Sequence, residues 1–236
     1  MSDVAVSVLS DIACMLGEGP AYDARTDTLF WFDILQRKLF EKPLSGMETV
    51  VHDLPVMASA LADVDERRQA GAIYWFFKGE VRRLFSHITV PNSICFSPDG
   101  TIGYFSDTHE NRLYRVACDP ETGRPVDDPV LTIEGRERSG SMDGSVVDAE
   151  GILWNARWGG GRIDAWSPRG ELIRSVPMPA RQISCPVFIG REANRLAATS
   201  AYEGMDEDER KADPQAGKLF LLDLEINGRL DPPVLL

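Results

Sequence analysis

Apolar and polar positions alternate along this chain in short runs broken by turns. Residues 94–96 are a brief apolar run, and Ser97-Pro98-Asp99-Gly100 is turn chemistry, with Pro presetting φ and Gly free to take φ > 0. A second short strand is predicted at 103–105 and a polar turn at 108–111. Residues 112–116 then alternate as a half-buried strand does. The same cassette recurs. Around residues 28–40 an aromatic strand ends in Asp33, the counterpart of Asp107, before a polar turn and a second alternating strand. A third copy spans 145–176, with Gly159-Gly160-Gly161 between two of its strands. A fourth spans 185–224, and a weakly alternating strand is predicted within 4–12.

Short strands, regular turns and a long period predict an all-β fold of radially repeated four-stranded units, a β-propeller. The spacing contains a break. Phe105, Asn155 and Ala198 occupy equivalent places 50 and 43 positions apart, whereas Asp33 and Asp107 are 74 apart, neither one period nor two. Within that interval 57–64 reads as an inner strand, and 71–75 with 80–85 as an outer hairpin. The polar join 65–70 stands where further strands belong.

Length and composition change this picture little: 236 residues, 43% hydrophobic and 26% charged, suit one globular domain spanning 1–236. The net charge of −12 argues against a nucleic-acid partner, which needs a basic patch. Residues 1–12 lack the pattern of a signal peptide, and no run approaches the ~20 apolar residues of a membrane span. Cys14, Cys95, Cys118 and Cys185 are scattered without a C-x-x-C pair, which fits reduced thiols and a cytoplasmic setting. No protein partner is evident. Residues 203–215, acidic at the start and basic at the end, predict a short surface helix aligned with its own dipole. A calcium loop is the alternative, but the alternating oxygen ligands and loop glycine of an EF-hand are absent.

Several chemistries are excluded. The three histidines have no G-x-S-x-G elbow to serve, no His pair has zinc-protease spacing, and the triple glycine is hairpin chemistry rather than a phosphate cradle. What remains is Glu18, Asn92 and Asp143, each read as standing just before the innermost strand of a repeat. In a propeller such positions converge on the central channel. Two carboxylates and an amide oxygen would suit a hard cation such as Ca2+, Mg2+ or Mn2+. Taken singly, each has a plainer account as a turn cap. Asp99 and Asp148 read as turn residues, and His109 as a surface loop residue.

Leu16-Gly17-Glu18-Gly19-Pro20, Val90-Pro91-Asn92-Ser93-Ile94-Cys95-Phe96-Ser97-Pro98-Asp99-Gly100, Met142-Asp143-Gly144-Ser145 and Gly159-Gly160-Gly161-Arg162 together resemble the regucalcin/gluconolactonase (senescence marker protein, LRE-like) family. The resemblance covers almost the whole chain in the same order. It implies a six-bladed propeller hydrolysing a small sugar lactone with one divalent ion (Ca2+, Mn2+, Mg2+ or Zn2+). It also implies Glu18, Asn92 and Asp143 as metal ligands. In a metal-dependent lactonase, Asp143 is then expected to be catalytic as well, taking the water's proton. The family's Asn-Asp-Gly-Arg-like stretch, which holds the sugar, has no counterpart here, so substrate-binding residues are not assigned. It would fall in the interval near 67–70, where parts of two blades are missing. A propeller that binds metal but has lost its sugar pocket is the alternative.

Overall fold

A computed structural model describes residues 4–46, 48–55, 71–77 and 80–230. After strand β1 (Ala5–Ser10), the first four-stranded sheet is β2 (Gly17–Asp23), β3 (Thr28–Asp33), β4 (Lys38–Pro43) and β5 (Val50–Asp53). A two-stranded sheet follows, β6 (Gly71–Phe77) with β7 (Glu80–Ile88). The second four-stranded sheet is β8 (Pro91–Phe96), β9 (Ile102–Asp107), β10 (Arg112–Ala117) and β11 (Val130–Glu134). The third is β12 (Ser141–Val147), β13 (Leu153–Trp158), β14 (Arg162–Trp166) and β15 (Leu172–Pro177). The last contains β16 (Ile183–Ile189), β17 (Arg195–Ser200) and β18 (Leu219–Asp223), and its fourth, outermost strand is β1. The first strand of the chain thus completes the last sheet, a pairing for which the N-terminal alternation gives no signal.

The sheets pack face to face through their inner strands: β8 against β12, β12 and β13 against β16, and β16 and β17 against β2. This is the predicted β-propeller. Separate apolar clusters fill the junctions. Tyr104, Leu113, Met142 and Trp166 lie between the second and third sheets. Ile163, Val176, Phe188 and Phe220 lie between the third and last, and Trp31, Phe40, Val187 and Ile189 between the last and first. The β6–β7 hairpin docks on the second sheet through Ile73, Ile88 and Phe105, with Phe85 stacked on Phe105, the ring centroids being 5.1 Å apart. It occupies the place read as an outer hairpin. The inner strand read at 57–64 and the join at 65–70 lie outside the described residues.

The equivalence of Asp33 and Asp107 has a physical basis. Both are buried at the end of a second strand and accept N–H groups from the segment entering the inner strand. Asp33 takes those of Met15 (2.7 Å) and Leu16 (3.3 Å), and Asp107 those of Thr89 (2.7 Å) and Val90 (3.2 Å). Asp99 accepts from Ser97 and Thr101 within its turn. Asp148 accepts from Ile152 and the Trp154 indole. The surface helix is α1 (Glu207–Ala212), shorter than the charged segment and closed by a capping box between Asp206 and Glu209. None of the four cysteines is in a disulfide. Among the described residues no helix is long and apolar enough to cross a membrane.

Candidate metal centre

Every inner strand of the four-stranded sheets breaks register at the same place. The pair Glu18↔Phe32 is followed by Ala21↔Phe30, and Asn92↔Ser106 by Cys95↔Tyr104. Met142↔Arg157 is followed by Ser145↔Asn155, and Ile183↔Ser200 by Pro186↔Ala198. Two residues oppose one in each case, which is a β-bulge repeated around the ring. Gly19 and Ser93 reach it with φ of 56°.

This changes the expected placement. Glu18, Asn92 and Asp143 lie within the inner strands β2, β8 and β12, not before them. Nor are they strictly equivalent: Glu18 and Asn92 share one register, and Asp143 stands one residue later, level with Gly19, Ser93 and Ser184. An ordinary strand would send residues of adjacent register to opposite faces. The bulge re-aims them.

Asn92 and Asp143 are brought into direct contact, Nδ2 donating to Oδ1 at 2.7 Å, and the same amide nitrogen reaches Thr108 Oγ1 at 3.0 Å. Asp143 is buried. Burial, and after it the Glu18 charge, raise its carboxyl well above the usual carboxylate range; Glu203 adds to this. Glu18 is pushed up to about 7, mainly by burial and further by Glu203, against a bond from the Gly19 N–H at 3.3 Å. Among the described residues no Lys, Arg or His forms an ion pair with Glu18 or Asp143. Two carboxylates are therefore desolvated within range of each other with no side-chain cation among the described residues to balance them. Nor do three His, Cys, Asp or Glu side chains form a cage among the described residues; the third polar donor is the Asn92 amide. The donor set fits a hard divalent cation, which prefers oxygen and relieves carboxylate repulsion.

Beneath the bulge, fully buried Asn155 ties the strands together. Its Nδ2 lies 3.1 Å from the Asp143 carbonyl oxygen, 3.3 Å from that of Gly144, 3.2 Å from Ser93 Oγ and 3.0 Å from Ser145 Oγ. Ser93 also donates to the Asp143 carbonyl. Gly144 is required here, since a Cβ would stand 2.5 Å from Cys185 Sγ.

Sequence reasoning missed Glu203, Thr108 and Asn155. Glu203 opens the charged run assigned to the surface helix, and Thr108 lies in a turn read only as polar. Asn155 sits mid-strand among apolar neighbours, which is the one signal that could have found it. His109 is exposed, as expected.

The model of the SMP-30/Gluconolactonase/LRE-like region matches residues 16–71 and 62–202. The two matches overlap at the polar join, so the family pattern breaks and restarts there. A putative sugar lactone lactonase of Rhizobium meliloti is 38% identical over 279 residues, covering 95% of each chain. That alignment is longer than this 236-residue protein, so the relative carries residues with no counterpart here. An L-arabinolactonase of Azospirillum brasilense is 28% identical, covering 91% of this chain and 90% of its own. Among solved structures, a calcium-binding protein, regucalcin, from Agrobacterium tumefaciens superposes with a TM-score of 0.93 at 37% identity, covering 98% of this chain and 99% of that one. A luciferin-regenerating enzyme shares the fold, with a TM-score of 0.83 at 20% identity over 96% of this chain and 98% of its own. With a propeller architecture, the repeated bulge and these matches, the chain belongs to the SMP-30/gluconolactonase/LRE-like family.

Proposed function

We propose that this protein hydrolyses sugar lactones with one divalent metal held by Glu18, Asn92 and Asp143, and that Asp143 also accepts a proton from water. The observation that carries the reading is the pair of mutually repelling carboxylates, Asp143 buried and Glu18 partly so, beside an amide, with no cationic side chain among the described residues paired to either. Support comes also from the relatives, named as a sugar lactone lactonase and an L-arabinolactonase, and from the structural neighbour described as calcium-binding.

A divalent ion bound there would polarise a lactone carbonyl and lower the pKa of a water. The chain's own groups do the rest. Asn92 supplies a neutral oxygen once its amide is turned, which limits the negative charge of the site to the two carboxylates. Asp143, beside the Asn92 amide, would accept the proton that the water gives up. All-oxygen donors favour Ca2+, Mg2+ or Mn2+ over softer ions; Zn2+ is the fourth candidate.

A second reading is favoured by one observation. Among the described residues, the β6–β7 sheet has two strands where every other sheet has four. A propeller altered at this place could keep its metal and lose its sugar pocket.

The test uses metal-stripped protein reloaded in turn with Ca2+, Mn2+, Mg2+ or Zn2+ and given glucono-δ-lactone, with proton release followed. Metal-dependent turnover above the spontaneous rate supports the lactonase. Bound metal without turnover supports the second reading, and failure to bind any of the four ions overturns both.

A further inference from the structure

Strands β13 and β14 carry a second buried polar cluster, unrelated to the carboxylate pair. Arg157 and Arg162 are paired across the two strands, as are Asn155 and Asp164, and Arg138 reaches in from the segment after β11. Asp164 is fully buried and forms ion pairs with three guanidinium groups: Arg138 at 3.1 Å, Arg162 at 3.2 Å and Arg157 at 3.8 Å. One carboxylate thus faces three cations, a local surplus of two positive charges in a chain whose net charge is −12.

Arg157 is as buried as Asp164, at 0% exposure, unlike its two neighbours. Its Nη2 donates to the carbonyls of Gly135 (3.0 Å) and Gly140 (2.6 Å). Its Nε and Nη1 have no acceptor, because 3.8 Å to Asp164 is too long for a hydrogen bond. The indole N–H of Trp166, buried in the same sheet with Arg138 5.9 Å from its ring centroid, also has none. Burial lowers the Arg157 guanidinium to about 10, with Asp164 opposing. Buried charge without compensation is costly, and the unsatisfied groups of Arg157 and Trp166 are all donors, whereas the neighbouring Asn155 leaves an acceptor, Oδ1, without a partner. The surroundings are tight: a Cβ on Gly160 would stand 2.8 Å from Arg157 Cβ, and one on Gly140 would stand 2.5 Å from the Gly160 nitrogen.

From the charge surplus and the unsatisfied buried donors together, we infer that this cluster binds a small monovalent anion of chloride size, accepting from Arg157 Nε and Nη1. The sign excludes a cation, and two donors on one edge of a single, fully buried guanidinium suit one small anion. Because Arg157 also holds the Gly140 carbonyl, the anion would brace the segment that leads into Asp143.

The full chain is crystallised without chloride and soaked in sodium bromide, and the anomalous signal of bromine is recorded. A peak within about 3.5 Å of Arg157 Nη1 is expected; no peak there overturns the site. In solution, Tm is followed as sodium chloride replaces sodium isethionate at constant ionic strength. A saturable rise is expected in the wild type. In Arg162→Gln, which keeps the buried Arg157, half-saturation should need about tenfold more chloride, because one neighbouring positive charge is lost while the contacts to Arg157 remain. Arg157→Met should show no rise; should that variant fail to fold, the wild-type and Arg162→Gln titrations still decide. A bromide peak with no chloride dependence of Tm would mean an adventitious ion only and would overturn the inference.

Discussion

Asn92 and Asp143, 51 positions apart in the chain, meet through a 2.7 Å hydrogen bond between the inner strands of adjacent sheets. Neither strand places its residue there by simple alternation. The bulge in β12 brings Asp143 forward by one register to meet the Asn92 amide, and Glu18 adds a second carboxylate close enough to raise the first. The metal proposal rests on this convergence.

Replacing Asp143 by Asn removes one of two mutually repelling acids while preserving shape. Thermal unfolding of the metal-free variant should show a Tm equal to or above that of the wild type. Lactone turnover should fall by ~100-fold or more if Asp143 is the proton acceptor. Turnover within a few-fold of wild type would remove it from the mechanism.

Glu18 carries a pH dependence whose sign is fixed by its shift. Its folded pKa of about 7 lies above the ordinary 4.5, so between these values the folded protein holds more protons than the unfolded one. Metal-free stability should therefore be greatest below about pH 4.5 as far as this group is concerned, and should fall as pH rises towards 7. Metal binding should tighten over the same window and release protons. Urea unfolding with and without metal at several pH values checks both trends; a metal-free protein that gains stability from Glu18 across this range, judged against Glu18→Gln, would contradict them.

Asn155→Ala removes the amide that lies within hydrogen-bonding distance of the Asp143 and Gly144 carbonyls, Ser93 and Ser145. Leaving buried acceptors unpaired costs about 1–3 kcal/mol. The expected result is a lowered Tm together with weaker metal binding, since both Asn92 and Asp143 adjoin the groups it joins. Unchanged calorimetric metal affinity would show that Asn155 only supports the fold.

Asp107→Ala should destabilise the protein by a comparable ~1–3 kcal/mol, because the Thr89 and Val90 N–H groups lose their acceptor. Asp33→Ala should do the same at Met15 and Leu16. Equal denaturation midpoints for these variants and the wild type would count against this capping role.

The repeat was legible in the chain because its signals are local. Aromatic strands end in Asp33 and Asp107, each doing the same capping work, and Ser-Pro-Asp-Gly forms the turn it spells. The interrupted period between Asp33 and Asp107 was legible too, and the hairpin β6–β7 stands where an outer pair was expected. Other features depend on relations that no local pattern records. The pairing of β1 with β18 joins opposite ends of the chain. The bulge is a property of register between strands, so Asp143 looked equivalent to Glu18 and Asn92 when it is one residue out of step. Glu203 was hidden by neighbours whose charges describe a helix. No local pattern marks Arg157, which lies fully buried beside Asp164.

The most direct measurement is a calorimetric titration of metal-stripped protein with Ca2+ and Mn2+, for the wild type, Glu18→Gln and Asp143→Asn. The account predicts one ion per chain in the wild type and at least about a hundredfold weaker binding in either variant, the scale of ~3 kcal/mol for a lost charged ligand. One-site binding unchanged in both variants would place the metal elsewhere and contradict the assignment of Glu18, Asn92 and Asp143.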